Sequence, residues 1–278
     1  MHRATTKQQI AQLLPSNRKL GFVPTMGALH DGHISLIAAS KNRGLFTVAS
    51  IFVNPTQFNN SKDFEKYPID TEKDCELLAN AGCDLVFLPP RDEIYPDKEE
   101  ASKYIHDFGP LESRLEGAFR PGHFRGVGQV VHILFDIVRP DYAFFGEKDF
   151  QQLQIIRALE SMLDQRIEVV GMPTIRENDG LAMSSRNRRL NPDQRRAGGL
   201  IYKALCLAKS QLKSLSLDVI RREVADLFEH EPLMQLEYFD IVDPTTFESR
   251  KSGDQGPFHA VIAAYAGEVR LIDNMRLD

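Results

Sequence analysis

Residues 21–33, GFVPTMGALHDGH, join a short apolar run to two histidines that lie three positions apart. The run Leu20–Val23 predicts a buried strand that Pro24 stops, and the apolar spacing over Ile34–Ala39 predicts the start of a helix. Gly27, which precedes the histidines, and Gly32, which lies between them, favour a tight turn between these two elements. The stretch therefore predicts a strand, turn and helix, with both histidines in the turn.

Three kinds of chemistry are open to His30 and His33. An H-x-x-H pair on a helix can bind zinc, but the glutamate of the H-E-x-x-H motif is absent here. One histidine can instead act as a base that the other orients, or both can donate hydrogen bonds to an anion. Backbone N–H groups at a helix N-terminus attract phosphate, which suits the last alternative. A purely structural alternative is that one histidine caps the helix.

The alternation of strand and helix continues beyond this stretch. Short apolar strands separated by helices of about 10–16 residues are typical of a parallel sheet that is covered on both faces. The predicted elements are helix Thr6–Leu14, strand Leu20–Val23, a helix from Ile34, strand Phe46–Val53, helix Thr71–Ala81, strand Asp84–Leu88, helix His123–Val138, strand Tyr142–Phe145, helix Asp149–Leu163 and strand Arg166–Gly171.

The pattern changes after about residue 174. Helical stretches at Pro192–Leu212 and Leu217–Glu229 precede β-prone runs at Leu236–Val242 and His259–Ala266. We therefore predict an α/β fold with two domains. Residues 1–173 form a Rossmann-like parallel-sheet domain with helices on both faces, and residues 174–278 form a smaller α+β domain.

Polar segments follow three of the predicted strands. They are residues 24–33 (PTMGALHDGH), 54–60 (NPTQFNN) and 146–152 (GEKDFQQ). In open parallel sheets, ligands bind beyond the carboxyl ends of the strands. We therefore expect these segments to converge on one crevice.

Composition excludes several classes of protein. The formal net charge of the 278 residues is −5, which argues against a large nucleic-acid interface. No window approaches the roughly 20 apolar residues of a membrane span, and the N-terminus lacks the apolar core of a signal peptide. The three cysteines form no C-x-x-C pair, which favours a reducing, cytoplasmic setting.

Four motifs taken together resemble a known family. Residues 30–33 (HDGH) resemble the H-x-G-H signature of the nucleotidyltransferase superfamily, and residues 183–186 (MSSR) resemble its Met-Ser-rich loop with a cation. The fuller string at 24–33, with 54–58 (NPTQF) and 146–149 (GEKD), is similar to the pantothenate synthetase (pantoate–β-alanine ligase) family. Ala182 stands where the commoner K-M-S-K-S loop has lysine, which favours this family over aminoacyl-tRNA synthetases.

The resemblance implies a two-step reaction that condenses (R)-pantoate with β-alanine. Pantoate attacks the α-phosphate of ATP to give pantoyl adenylate and pyrophosphate, and β-alanine then displaces AMP to give pantothenate. The catalytic residues it implies are His33, which matches the family's proposed proton donor, together with His30, Lys148 and Arg186. The residues it implies at ATP are Met26, Gly27, Ala28, Leu29, His30, Asp31, Gly32, His33, Gly146, Glu147, Lys148, Asp149, Ile175, Met183, Ser184, Ser185 and Arg186.

The resemblance also implies sites for the other ligands. The residues implied at pantoate and β-alanine are Pro24, Met26, Gln57, Gln152, Arg120 and His123. Mg²⁺ is expected to accompany ATP, and Asp74 falls at a position where family members hold a metal, although an acidic helix N-terminus is the better explanation of that residue. The family is usually homodimeric, so a homodimer is expected.

Other functions are compatible with parts of the pattern. A different H-x-G-H adenylyltransferase would act on a phosphorylated small molecule and would need no β-alanine. A nucleotide-sensing module would have no reason to keep Lys148 and Arg186 along with both histidines. A tRNA synthetase would need a longer chain with a basic RNA-binding appendage.

Overall fold

The computed structural model describes residues 1–59, 64–65 and 67–278. Asn60, at the end of the predicted polar segment 54–60, lies outside the described residues. Contacts divide the chain into two compact units. The first consists of Met1–Glu147 and Gln151–Pro173, and the second of Lys148–Phe150 and Thr174–Asp278.

The first unit contains a six-stranded parallel sheet in the order β1-β4-β3-β2-β5-β6. Its strands are β1 (His2–Ala4), β2 (Leu20–Thr25), β3 (Phe46–Ile51), β4 (Leu85–Phe87), β5 (Tyr142–Gly146) and β6 (Glu168–Met172). Strand β2 pairs with β3 on one side and with β5 on the other, so the strand order reverses there. The carboxyl ends of β2 and β5 are thus neighbours at the point where such sheets bind ligands.

Helices cover both faces of this sheet. They are α1 (Lys7–Leu13), α2 (Asp31–Asn42), α3 (Thr71–Asn80), α4 (Arg91–Ile94), α5 (Lys98–Ser102), α6 (Glu116–Phe119), α7 (His123–Val138) and α8 (Phe150–Met162). Successive residues of β2 enter opposite cores, since Phe22 packs in the cluster that contains Phe135 of α7 and Val23 in the one that contains Ile37 of α2. This two-sided burial explains why the strands are predominantly apolar in sequence.

The second unit has a three-stranded antiparallel sheet of β7 (Met234–Val242), β8 (His259–Ala266) and β9 (Val269–Arg276). Its helices are α9 (Pro192–Gly198), α10 (Leu200–Gln211) and α11 (Leu217–Glu229). Ile201, Leu205, Ile220 and Ile262 are fully buried in its core. The parallel sheet and the smaller α+β unit confirm the predicted fold class.

Some predicted elements differ from the observed ones. Strand β2 continues through Pro24, which is in register with Ser50 of β3. Proline is tolerated because the pairing of β2 with β5 covers only Gly21 and Phe22, so that Pro24 has no ladder bond to donate on that side. The predicted helix Pro192–Leu212 is two helices that meet at Gly199.

Two strands were absent from the sequence prediction. Strand β1 has only three residues and gains its partner from Leu85–Phe87 of β4, which sequence periodicity cannot show. Strand β9 alternates buried and half-buried residues as far as Asp273, and it contains the polar pair Asp273 and Asn274, both of which are buried. Within the described part of the chain, we find no helix long and apolar enough to cross a membrane.

Candidate active site

The turn after β2 is held by a buried carboxylate from α3. Backbone N–H groups of Ala28 and Leu29 donate to Asp74 Oδ2 and Oδ1, both at 2.8 Å. Gly27 and Ala28 have left-handed backbones, with φ of 79° and 52°. A Cβ at Gly27 would lie 2.8 Å from Asp74 Oδ2, so this position needs glycine for space as well as for backbone conformation. The turn is thus built around Asp74.

His30 and His33 lie side by side at the start of α2. Their ring centroids are 4.1 Å apart, with an angle of 44° between the ring planes. The His30 N–H donates to His33 Nδ1 at 3.3 Å, so in the neutral ring the proton of His33 sits on Nε2. His33 can therefore donate through Nε2 while Nδ1 is held by the backbone. This one hydrogen bond caps the N-terminus of α2 and also orients the His33 ring.

Gln57 lies in the short 3₁₀ turn that follows β3. Its side chain is 8 % exposed, its Nε2 lies 3.1 Å from Met26 Sδ, and its Oε1 accepts from Asn54 Nδ2 at 3.1 Å. Two of the residues expected at pantoate, Met26 and Gln57, are therefore in contact. Next in sequence, Phe58 packs edge-on against Tyr67, with ring centroids 5.8 Å apart.

Arg120 and His123 both reach the backbone of Gln57. His123 Nδ1 donates to the Gln57 carbonyl oxygen at 2.9 Å, and Arg120 Nη2 approaches the same oxygen at 3.5 Å. A Cβ at Gly126, on the next turn of α7, would lie 2.6 Å from the Thr56 carbonyl oxygen. Helix α7 therefore packs directly on the backbone of the turn that carries Gln57.

Two adjacent glutamines begin helix α8, and the structure separates their roles. Gln151 is 5 % exposed; its Nε2 donates to the carbonyl oxygens of Leu111 and Arg114 at 2.7 and 2.9 Å, and its Oε1 accepts from the Glu116 N–H. Gln152, expected at pantoate, is half-buried. Gln151 thus fixes the segment before α7, a role that the doublet in the sequence did not show.

The GEKD motif spans the two units. Gly146 ends β5 and Glu147 is the last residue of the first unit before Lys148, Asp149 and Phe150, which belong to the second. Lys148 Nζ lies 3.4 Å from Asp149 Oδ1. The cation and carboxylate expected at ATP are thus adjacent.

Asn274 of β9 anchors this short segment within the second unit. Its Nδ2 donates to the Lys148 carbonyl oxygen at 2.8 Å, while its Oδ1 accepts from His259 Nε2, also at 2.8 Å. The His259 ring stacks on Phe150 with centroids 3.8 Å apart and planes 7° from parallel. Asn274 and His259, which the sequence did not single out, therefore position the backbone of Lys148.

We expect His259 to make the stability of the second unit dependent on pH. Burial lowers its pKa below the ordinary value of 6.5. The folded protein thus resists a proton that the unfolded chain binds, so this stability is present above a pH of about 6.5 and is lost as the pH falls below it. Thermal unfolding of H259Q, whose amide keeps a donor, should lose less stability than the wild type between about pH 7.5 and pH 5.5.

The exposed His230 provides the matched control for that experiment. H230Q should retain the wild-type pH dependence. Burial also lowers the pKa values of His106 and His132, and both remain in every variant. Only the difference between variants in how the unfolding temperature depends on pH therefore reports on His259. The same dependence of unfolding temperature on pH in H259Q and the wild type would contradict the prediction.

Ile175 and Met183 pair across a short hairpin. The Met183 N–H donates to the Ile175 carbonyl oxygen at 2.9 Å, and Arg176 bridges to Ala182. Gly180 turns the chain with a φ of 90°. The backbone of Ile175, expected at ATP, is therefore ordered by the same hairpin that leads into the MSSR motif.

The MSSR motif opens a short 3₁₀ helix, Ser185–Arg189. Ser184 Oγ accepts from the Arg186 N–H at 3.3 Å, which leaves its own O–H as a donor. Ser185 is 7 % exposed, whereas Ser184 and Arg186 are half-buried. Of the expected phosphate ligands in this motif, Ser184 and Arg186 are the more accessible.

The described residues do not form a built metal centre. Across 1–59, 64–65 and 67–278, we find no cluster of three His, Cys, Asp or Glu side chains that could hold a metal ion. Asp74 is 2 % exposed, and each of its oxygens accepts a backbone N–H. These contacts give Asp74 a structural role in the turn.

Comparison with known proteins identifies the family. The family model for pantoate-beta-alanine ligase matches residues 1–276. The chain belongs to this family. A pantothenate synthetase from Bacteroides thetaiotaomicron is 44 % identical over 269 residues, which cover 96 % of this chain and 94 % of that one. Another from Herpetosiphon aurantiacus is 45 % identical over 277 residues and 99 % of both chains.

Solved structures agree with this assignment to the pantoate–β-alanine ligases. Pantothenate synthetase from Thermus thermophilus has a TM-score of 0.94 at 40 % identity, covering 100 % of this chain and 99 % of that one. Pantoate-beta-alanine ligase from Francisella tularensis, complexed with beta-gamma ATP and beta-alanine, has a TM-score of 0.83 at 34 % identity and covers 100 % and 98 %. The resemblance drawn from the sequence motifs is confirmed.

Proposed function

We propose that this ligase condenses (R)-pantoate with β-alanine in an ATP-dependent reaction that yields pantothenate, AMP and pyrophosphate through pantoyl adenylate. Family membership over residues 1–276 supports the reaction class. The observation that carries the proposal is the built turn between β2 and α2, where Asp74 holds the backbone and His33 keeps a donor on Nε2. That turn lies at the reversal of strand order, beside the end of β5.

The first step requires that pantoate and ATP be positioned and that their negative charges be compensated. A pantoate carboxylate oxygen forms a bond to the α-phosphorus of ATP, and the bond from that phosphorus to the pyrophosphate oxygen breaks. Because both reactants are anions, catalysis depends on holding them together and on donors aimed at the phosphate oxygens. We assign these donors to His30 and His33, and in His33 the donating atom is Nε2, since Nδ1 accepts from the His30 N–H.

Further charge and hydrogen-bond donors are proposed from other residues. We assign Lys148, Arg186 and the Ser184 hydroxyl to the phosphates, and Asp149 to a ribose hydroxyl. Asn274 fixes the backbone at Lys148, so the Lys148 side chain extends from an ordered backbone. In the second step the β-alanine amine forms the amide bond to the acyl carbon, loses a proton and expels AMP; Arg120 and His123 are our candidates near it.

Mg²⁺ is proposed to arrive with ATP and to be held through its phosphates. The described residues offer no built metal site, and the Asp74 carboxylate is occupied by two N–H groups. We therefore route no step through a protein-bound metal.

We expect Gln57→Ala to raise the KM for pantoate and to leave kcat close to the wild-type value. Gln57 is buried against Met26, and we expect it to bind the ground state and the transition state alike, which is the behaviour of uniform binding. Steady-state kinetics with pantoate varied at saturating ATP tests this. A kcat that falls while KM is unchanged would assign Gln57 to the transition state instead.

One assay tests the proposed function as a whole. Pyrophosphate release from ATP is measured with pantoate, with and without β-alanine. We expect pantoate-dependent pyrophosphate in both cases and stoichiometric AMP only when β-alanine is added. Absence of pantoate-dependent pyrophosphate would overturn the proposal, and AMP transfer to a phosphorylated substrate would favour the other H-x-G-H activity.

We further propose a cytoplasmic homodimer. Cys75, Cys83 and Cys206 are all free thiols, which suits a reducing compartment. Dimerisation is the expectation that the family carries. Light scattering coupled to size-exclusion chromatography tests it directly, and a mass near the 31.5 kDa of one chain would contradict it.

A further inference from the structure

A chain of hydrogen bonds ends on Gln57 in the first unit. The Tyr95 O–H donates to Asn54 Oδ1 at 2.8 Å, and Asn54 Nδ2 donates to Gln57 Oε1 at 3.1 Å. We propose that this chain fixes the Gln57 amide with Nε2 toward Met26, so that Gln57 binds pantoate as a hydrogen-bond donor and Tyr95 is a positioning residue for that substrate. The inference rests on the proposed function.

Backbone groups decide which way the Asn54 amide faces. The carbonyl oxygen of Gly126 lies 3.1 Å from Asn54 Nδ2 and can only accept, so the group facing it is the NH₂. On the other side the Thr56 N–H, which can only donate, lies 3.4 Å from Asn54 Oδ1. Asn54 is 1 % exposed, so reversing the amide would bury two mismatched pairs.

The orientation of Gln57 follows from that of Asn54. Since Asn54 Nδ2 is a donor, the Gln57 atom that faces it must be the acceptor Oε1. Nε2 then faces Met26 Sδ at 3.1 Å, and a thioether sulfur carries no hydrogen and accepts only weakly. A substrate oxygen is a better partner for this NH₂ group. Gln57 therefore presents donors to the substrate and no acceptor.

Tyr95 contributes the shortest contact to Asn54 Oδ1. Burial raises the pKa of Tyr95 to about 12, so its hydroxyl remains a donor at neutral pH. The Thr56 hydroxyl also donates to Asn54 Oδ1 at 3.1 Å, so removing the Tyr95 hydroxyl loosens the amide without leaving Oδ1 bare. The Tyr95 ring packs against Phe52 with centroids 6.1 Å apart, and phenylalanine can keep that contact.

Tyr95→Phe is expected to raise the KM for pantoate about 3- to 10-fold, the range of one intramolecular hydrogen bond. We expect kcat and the KM for ATP to change less than twofold, on the order of experimental scatter. Tyr142→Phe is the matched control, because it removes a hydroxyl at the opposite, amino end of the same sheet. It should leave all three constants unchanged. Thermal unfolding of each variant shows whether it is folded at the assay temperature.

Combining Tyr95→Phe with Gln57→Ala distinguishes positioning of the Gln57 amide from a general effect on packing. In Gln57→Ala the hydrogen-bond chain has no Gln57 amide left to orient, so adding Tyr95→Phe should raise the pantoate KM no further. Asn54→Asp removes the donor toward Gln57 Oε1 and should raise the pantoate KM more than Tyr95→Phe does. An equal increase from Tyr95→Phe with and without Gln57 would overturn the inference.

The remaining outcomes are also decisive. If the wild type releases pantoate-dependent pyrophosphate but Tyr95→Phe has the wild-type KM, the inference fails and the proposed function stands. If the wild type releases none, the proposed function fails, and the inference about pantoate fails with it.

Discussion

His33→Ala is expected to lower the rate of pantoate adenylation about 10²- to 10³-fold, because it removes the donor that we propose acts on the charge developing on the α-phosphate. In the structure His33 Nδ1 accepts from the His30 N–H, so the side chain carries its donor on Nε2. Single-turnover release of pyrophosphate, measured with enzyme in excess over ATP, reports this step without interference from product release.

Two further variants separate the two functions of the His33 ring, which are acceptance at Nδ1 and donation at Nε2. His33→Asn places an amide near Nδ1, where it can accept from the His30 N–H, but it does not reach the position of Nε2; we expect it to fold normally and to be as slow as His33→Ala. His33→Gln extends an NH₂ group toward the position of Nε2 and should recover part of the rate. Wild-type adenylation by His33→Asn would remove the proposed role of Nε2.

The sequence predicted those parts of the fold and site that depend on local pattern. Buried strands such as β4 read as continuous apolar runs, and the glycines at positions 27 and 32 marked a tight turn. The motifs then indicated a family, which the comparisons confirmed. Local pattern could not show contacts between distant segments, such as those of Tyr95 with Asn54 and of Asn274 with Lys148. These pairs become neighbours only once the sheets form.

Asp74 illustrates this limit within the candidate site. In sequence it is one of several acidic residues at the start of a helix, a pattern that favours a helix N-terminus over a metal ligand. In the structure it is buried against Gly27 and binds the N–H groups of the next two residues. The charge is thus compensated by two backbone donors 45 and 46 residues away, which no spacing in the sequence indicates.

Asp74→Asn should destabilise the first unit as well as slow adenylation. The substitution keeps the size of the side chain but places an NH₂ group against a backbone N–H, so one buried donor loses its acceptor. The expected loss is about 1–3 kcal/mol in the free energy of unfolding, which lowers the unfolding temperature by roughly 2–4 °C per kcal/mol for a unit of this size. The Ala28 and Leu29 backbone would shift with it, and adenylation should fall because the histidines follow directly.

Asp70→Asn is the control, because Asp70 begins the same helix and accepts only the Lys73 N–H in the contacts described, at 3.3 Å near the surface. It should cost less stability and leave adenylation unchanged. The measurement that decides between the two explanations of Asp74 is thermal unfolding without ATP or Mg²⁺. A carboxylate that holds the turn stabilises the protein under those conditions, so Asp74→Asn must unfold earlier. A metal ligand would instead leave the metal-free unfolding temperature near the wild-type value and raise only the Mg²⁺ concentration that adenylation requires.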